Sequence, residues 1–125
     1  MATRTDDGLL AWQWSIYKEN HRDRINLLVH ILTVPVFMLG TCAVAGAPFV
    51  GVWLAVGGAV AMTAAMASQG RTHRRESTPP APFTGPLDVL GRILAEQWIT
   101  FPRYVLTGEL ARAWRAAARA EPRAS

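Results

Sequence analysis

The sequence predicts an all-α, membrane-embedded protein: a helical hairpin with a short amphipathic helix before it and an interfacial amphipathic helix after it. Three observations carry that expectation. Ile25 to Gly70 contains no Asp, Glu, Lys or Arg, a run about twice the ~20 apolar residues that cross a hydrocarbon core. The run is divided at Ala45-Gly46-Ala47-Pro48, where glycine permits a reversal and proline suits the first turn of a helix better than its interior. Arginines flank it on both sides, at Arg22 and Arg24 before it and at Arg71, Arg74 and Arg75 after it. The 125 residues, half of them hydrophobic, make one membrane domain, 1–125.

Taken in order, residues 5–20 place Leu9, Leu10, Trp12, Ile16 and Tyr17 on an irregular apolar face, with Asp6 or Asp7 as the N-cap. Its aromatic residues suit the headgroup region. Two spans follow, 24–45 and 48–70, each about 30 Å long at the rise of an α-helix. Flanking arginine puts both termini in the cytoplasm. Pro35 kinks the first span, and Gly51, Gly57, Gly58, Ala61, Ala64 and Ala65 give the second a small-sided face that packs closely on a neighbouring helix or on a second copy in a homo-oligomer. Residues 77–86 hold four prolines and a glycine and form a loop. The interfacial helix, 86–101, groups Leu87, Leu90, Ile93, Leu94, Gln97 and Trp98 on one face and Asp88, Arg92 and Glu96 on the other, and Pro102 interrupts it. A basic Ala/Arg tail, 108–125, ends in disorder. Cys42 is the single cysteine, which excludes a disulfide within the chain.

The excess basic charge lies downstream, where residues 71–125 hold nine Arg against five Asp or Glu. With no stacking or groove-reading motif beside it, this charge points to anionic membrane lipids and not to nucleic acid.

Chemistry concentrates at the histidines. His30 lies within an apolar helix, where an ionisable side chain is by default a functional candidate, although it also serves simply as a hydrogen-bond partner between helices. Asn26 and His30 are four residues apart and share a helix face, as do Gln69 and His73. His21 joins His30 only if the first span begins after it, with Asp23 as N-cap. Imidazoles of this kind suit Zn, Cu, Fe or Ni, with carboxamides and Glu76 as supporting or additional ligands. Counted from a turn near Gly46, however, His73 sits on the order of 10 Å further along the hairpin than His30. Arg71, Arg74 and Arg75 either grip a carboxylate or phosphate headgroup or only fix topology. No Gly-rich phosphate loop, CxxC pair or GxSxG elbow is present.

Tyr17, His21, Asn26, His30 and Pro35 follow the spacing Y-x3-H-x4-N-x3-H-x4-P, and Gln69 with His73 makes Q-x3-H followed by an acidic residue and prolines. The pattern resembles the Mpo-type family, whose fungal member is an endoplasmic-reticulum enzyme that shortens 2-hydroxy fatty acids by one carbon. The resemblance implies an iron(II)-dependent dioxygenase of fatty-acid alpha-oxidation. It nominates His21, His30 and His73 as Fe(II) ligands and catalytic residues, with Asn26 and Gln69 supporting them; Glu76, a further supporting candidate, falls three residues after His73 where the fungal pattern has its acidic residue four after. A 2-hydroxy fatty acid and dioxygen are the implied substrates, with Arg71, Arg74 and Arg75 as substrate-binding candidates. The competing expectation is a non-enzymatic helical hairpin that scaffolds a membrane complex through its small-residue face.

Overall fold

The computed structural model describes residues 4–121, with side chains from Gly8 onward, and every regular element among them is helical. Helix α1 (Arg4–Tyr17) leads through a 3-10 turn (Lys18–Asn20) into α2 (Arg24–Val50), which pairs with α3 (Val52–His73) as a hairpin. After a loop come α4 (Pro86–Ala95), a π turn (Glu96–Thr100), α5 (Phe101–Leu106) and α6 (Glu109–Ala120). Gly8, at φ 76° and ψ 167°, interrupts α1; the side chains of Asp6 and Asp7, expected to cap it, lie outside the described residues.

Helices α2 and α3 are long and apolar enough to cross a membrane, yet only 28% and 17% of their apolar windows are buried. A core helix of a water-soluble protein would be mostly buried. Here Leu32, Leu39, Phe49, Trp53 and Val60 are exposed, as suits a hairpin whose surroundings are as apolar as its side chains. The core proper sits at one end of the hairpin, where Tyr17, Leu27, Val34, Phe101 and Tyr104 pack together with Trp14, Leu110 and Trp114 against them.

The reversal falls at Gly51 and not at residues 45–48. Pro48 lies inside α2, near enough to its end that the missing N–H removes a single helical bond. Gly51 adopts φ 145° and ψ 159°, a conformation an L side chain rarely adopts. Its N–H bonds to Ala47 O at 2.8 Å to close α2, and its carbonyl accepts from Leu54 N at 3.1 Å to open α3. The shift decides the register. His30 lies 21 residues before Gly51 and His73 22 residues after it, so the two reach the same level and the stagger expected from a turn at Gly46 disappears.

Two further expectations are corrected. The stretch 86–101 is α4, a π turn and the start of α5, and its charged face points inward: Asp88 and Arg92 are buried while Leu87 is 84% and Leu90 57% exposed. Pro102 does not break it, because Pro102 occupies the first turn of α5 behind the π turn, where Phe101 N–H bonds to Glu96 O. The basic tail from Gly108, expected to end in disorder, is helical over Glu109–Ala120, and its last four residues, 122–125, lie outside the described ones. Leu110, Ala113 and Trp114 pack against the core, Arg24 lies over the Trp114 ring at 4.7 Å, and Lys18 pairs with Glu109 at 2.9 Å.

The hairpin closes on backbone contact between α2 and α3. A Cβ at Gly58 would lie 2.6 Å from Gly40 O and 3.0 Å from Ala43 Cβ, whereas one at Gly57 would meet nothing within 4 Å. Gly58→Ala is therefore expected to destabilise the protein by about 1–3 kcal/mol through overpacking. Gly57→Ala should be neutral or gain up to about 1 kcal/mol from helix propensity. Thermal unfolding in detergent separates the two; equal loss in both variants would refute the contact as the limiting one.

Candidate metal centre

His21 follows the 3-10 turn, and α2 starts only at Arg24, after Asp23, whose side chain accepts the Asn26 N–H at 2.9 Å. The break in the helix lets two residues nine apart face one point. His21 Nδ1 bonds to Tyr17 O at 2.9 Å and His30 Nδ1 to Asn26 O at 2.8 Å. A carbonyl oxygen only accepts, so each Nδ1 carries the proton and each Nε2 presents a lone pair. Those two Nε2 atoms are 3.3 Å apart.

Two more groups complete the cluster. The ring of His73, the last residue of α3, is centred 4.8 Å from that of His21 and 5.0 Å from that of His30, with all three pairs within a few degrees of perpendicular. Glu96, the first residue of the π turn, places Oε1 3.5 Å from the Nε2 of both His21 and His30. One donor atom from each of His21, His30, His73 and Glu96 lies within 4.8 Å of the others. Among the described residues, His73 Nδ1 is the buried side-chain nitrogen or oxygen with no hydrogen-bond partner.

The donor types suit a first-row transition metal, and three of the four donors are spaced for one. Imidazole and carboxylate ligands sit about 2.0–2.2 Å from such an ion, so tetrahedral neighbours are roughly 3.3–3.6 Å apart, and the His21, His30 and Glu96 donors are spaced at 3.3 to 3.5 Å. Burial alone would push the Glu96 carboxyl up, but when a proton stands in place of a metal on Nε2 of His21 or His30, hydrogen bonding and charge attraction from the protonated rings outweigh it and hold Glu96 well below the usual carboxylate range. The Tyr17 hydroxyl donates to Glu96 Oε1 at 3.1 Å, and its ring stacks on His21 at 3.8 Å. Burial, with the Glu96 carboxylate beside it, pushes the Tyr17 phenol well above its ordinary value.

The supporting groups divide. Glu76 accepts the N–H of Arg22 at 2.9 and 3.0 Å, the N–H of Asp23 at 2.9 Å and the side-chain amide of Asn26 at 2.8 Å. Asn26 Oδ1 in turn accepts from the Thr72 hydroxyl at 2.8 Å. Glu76 and Asn26 thus tie the end of α3 to the loop that carries His21. Gln69 does a different job: it exchanges hydrogen bonds of 2.8 and 3.1 Å with Gln97 and donates to Thr33 at 2.9 Å, fixing the π turn next to Glu96. Arg71, Arg74 and Arg75 are exposed, and Arg75 is paired with Asp23 at 2.9 Å. Glu96 and the role of Tyr17 were not found from sequence. The available signal was the pair Glu96-Gln97 within a segment from Ile93 to Phe101 that is otherwise apolar but for Thr100, a pair that in apolar surroundings must turn inward. No protein-family model, curated protein or solved structure matches this chain.

Each imidazole must be neutral to donate, so protons compete with the metal. Purified protein is expected to hold about one metal ion per chain near neutral pH and to lose it progressively as the pH falls. Single replacement of His21, His30 or His73 by Ala should lower metal content at least tenfold with helicity retained, as measured by elemental analysis and circular dichroism. Full metal content in His73→Ala would exclude the three-histidine set.

Proposed function

We propose that the protein is an iron(II)-dependent membrane dioxygenase that cleaves 2-hydroxy fatty acids to fatty acids one carbon shorter. The observation that supports this most is the meeting of His21, His30, His73 and Glu96 at the end of an apolar hairpin, with the likeness to the Mpo-type pattern beside it. Histidine and carboxylate donors with open positions suit non-haem Fe(II), which when bound supplies dioxygen activation and a Lewis acid for the substrate hydroxyl. Lipid around α2 and α3 would hold the acyl chain and deliver it by lateral diffusion.

This chain's own residues orient and neutralise. The carbonyls of Tyr17 and Asn26 fix the ring orientation of His21 and His30. Glu96 gives the set a negative charge and a proton acceptor for the substrate hydroxyl, while Tyr17 keeps one carboxylate oxygen hydrogen-bonded. Atoms balance when the hydroxy acid and one dioxygen yield the shortened acid, carbon dioxide and water.

Iron-loaded protein given a long-chain 2-hydroxy acid under labelled dioxygen should release the acid one carbon shorter with one labelled oxygen, and the unhydroxylated acid should remain unchanged. Failure to shorten any of several chain lengths, in protein shown to hold iron, would defeat the assignment. The arginine flanks further support cytoplasmic termini. A cysteine at Phe49, in a Cys42→Ser background, should then react with an impermeant thiol reagent from outside intact cells, and cysteines near the termini should not; the opposite pattern would reverse the orientation.

A further inference from the structure

The cavity that reaches the cluster has a volume of only about 40 Å³, and its walls include His21, His73, Glu96, Trp12, Pro80 and Arg92. That is room for about three waters at ~10–15 Å³ each, fewer heavy atoms than the headgroup of a hydroxy acid holds. A wall must move before such a headgroup enters. The wall least tied by backbone structure is the strap 77–85, which is neither helix nor strand and includes Pro79, Pro80 and Pro82, three residues without an N–H to donate.

Arg92 holds that strap. It is the one Lys or Arg lining this cavity, and its side chain is buried. Nη2 donates to Ala81 O at 2.8 Å and Nη1 to Pro82 O at 3.1 Å. Asp88 Oδ2 stands 3.5 Å from Nη1 and accepts the Thr84 N–H at 3.0 Å, and the rings of Phe83 and Trp12 cover the guanidinium at 4.3 and 5.1 Å. Two oxygens from consecutive residues, one on each terminal nitrogen, reproduce the way a carboxylate meets a guanidinium fork.

We propose that Arg92 recognises the carboxylate of the fatty-acid substrate, and that the carbonyls of Ala81 and Pro82 occupy its fork as a latch which that carboxylate displaces. The bonds from Arg92 to the two carbonyls are already charge-assisted on the donor side, but a carboxylate brings a full negative charge to the guanidinium and keeps the bidentate geometry, so the exchange favours the acid once it arrives. Asp88 keeps the guanidinium in place while the strap swings away and opens the cavity towards His21, His73 and Glu96. The exposed Arg71, Arg74 and Arg75, lining no part of this cavity, are relieved of the carboxylate-binding role. The inference rests on the functional reading above for the identity of the acid, but its chemistry is that of any long-chain carboxylate.

The test uses hexadecanoate and hexadecanol, neither of which needs to be turned over. In the full chain, hexadecanoate should speed chymotrypsin cleavage after Phe83 several-fold and hexadecanol should not; a strap equally protected with both overturns the latch. Arg92→Gln should weaken hexadecanoate binding at least tenfold, with hexadecanol binding unchanged as a check on folding. Parent-like hexadecanoate affinity in that variant would make Arg92 a staple only. Pro80→Gly with Pro82→Gly leaves Arg92 intact and loosens its competitor, so hexadecanoate should bind more tightly; equal or weaker binding counts against the exchange. If carboxylate binding depends on Arg92 but no 2-hydroxy acid is shortened, the site stands and the oxygenase reading falls. If 2-hydroxy acids are shortened while carboxylate binding is indifferent to Arg92, the oxygenase stands and the latch falls.

Discussion

Two imidazole lone pairs and a carboxylate oxygen, all acceptors, face one another at 3.3 to 3.5 Å in the interior of this protein. Such an arrangement is repulsive unless positive charge is shared among them, as a proton or a metal ion. Because both Nδ1 atoms are committed to backbone carbonyls, neither ring escapes by exchanging tautomers without losing a buried hydrogen bond. The rest of the molecule brings these three groups and His73 together from four separated places in the chain and prevents them from relaxing apart. Gly51 sets the hairpin so that His30 and His73 meet, Glu76 clamps the His21 loop to the end of α3, and the Gln69–Gln97 pair holds Glu96 in place.

The same constraint explains why the architecture is reversed relative to a soluble bundle. Gln13, Asn20, Asn26, Gln69, Thr72, Gln97 and Thr100 are buried, while leucine, valine and phenylalanine cover the outside of the hairpin. Burying so many polar groups would be costly if any stood unpaired, and the buried amides answer one another or backbone carbonyls: Gln69 with Gln97, Gln13 with Arg92 O and the Thr100 hydroxyl, Asn26 with Glu76 and Thr72. Against this background of satisfied groups, the lone His73 Nδ1 marks the cluster as the place where bonding within the chain is incomplete.

Much of this was legible in the sequence, for identifiable reasons. The uncharged run from Ile25 to Gly70 announced the hairpin, because charge is what a membrane span excludes, and the i, i+4 spacing of Asn26 with His30 and Gln69 with His73 put the right side chains on inward faces. Asp23 was readable as the start of α2 because its side chain caps an N–H wherever the helix begins. The turn was misplaced because Gly46 and Pro48 together are a strong local signal, yet Pro48 near the end of α2 costs only one helical bond, and Gly51 offers the same backbone freedom as Gly46 at φ 145°. Glu96 escaped because an amphipathic pattern carries no sign: the same alternation of Leu87 and Leu90 with Asp88 and Arg92 fits charge facing water or charge facing a polar interior. Only the surroundings decide, and here Asp88 and Arg92 face the polar interior while Leu87 and Leu90 face out.

The π turn shows how local irregularity serves the cluster. Along α4 the buried positions are Asp88, Arg92 and Ala95, an α-helical spacing that would next bury residues 99 and 103. Instead Ile99 is exposed, Arg103 is exposed, and Thr100 and Tyr104 are buried. One additional residue has therefore been accommodated between the two stretches, as a π turn requires. The insertion widens the helix beside Pro102, whose ring would otherwise crowd the carbonyl four residues earlier. It also turns Glu96 towards the histidines while its neighbour Gln97 meets Gln69, although adjacent residues on a regular helix diverge by about 100°. Proline and the ligand set thus depend on the same distortion: a segment regular enough to satisfy propensity alone would point either Glu96 or Tyr104 away from His21, and Tyr104, whose hydroxyl donates to His21 O at 3.4 Å, holds the loop that carries the ligand.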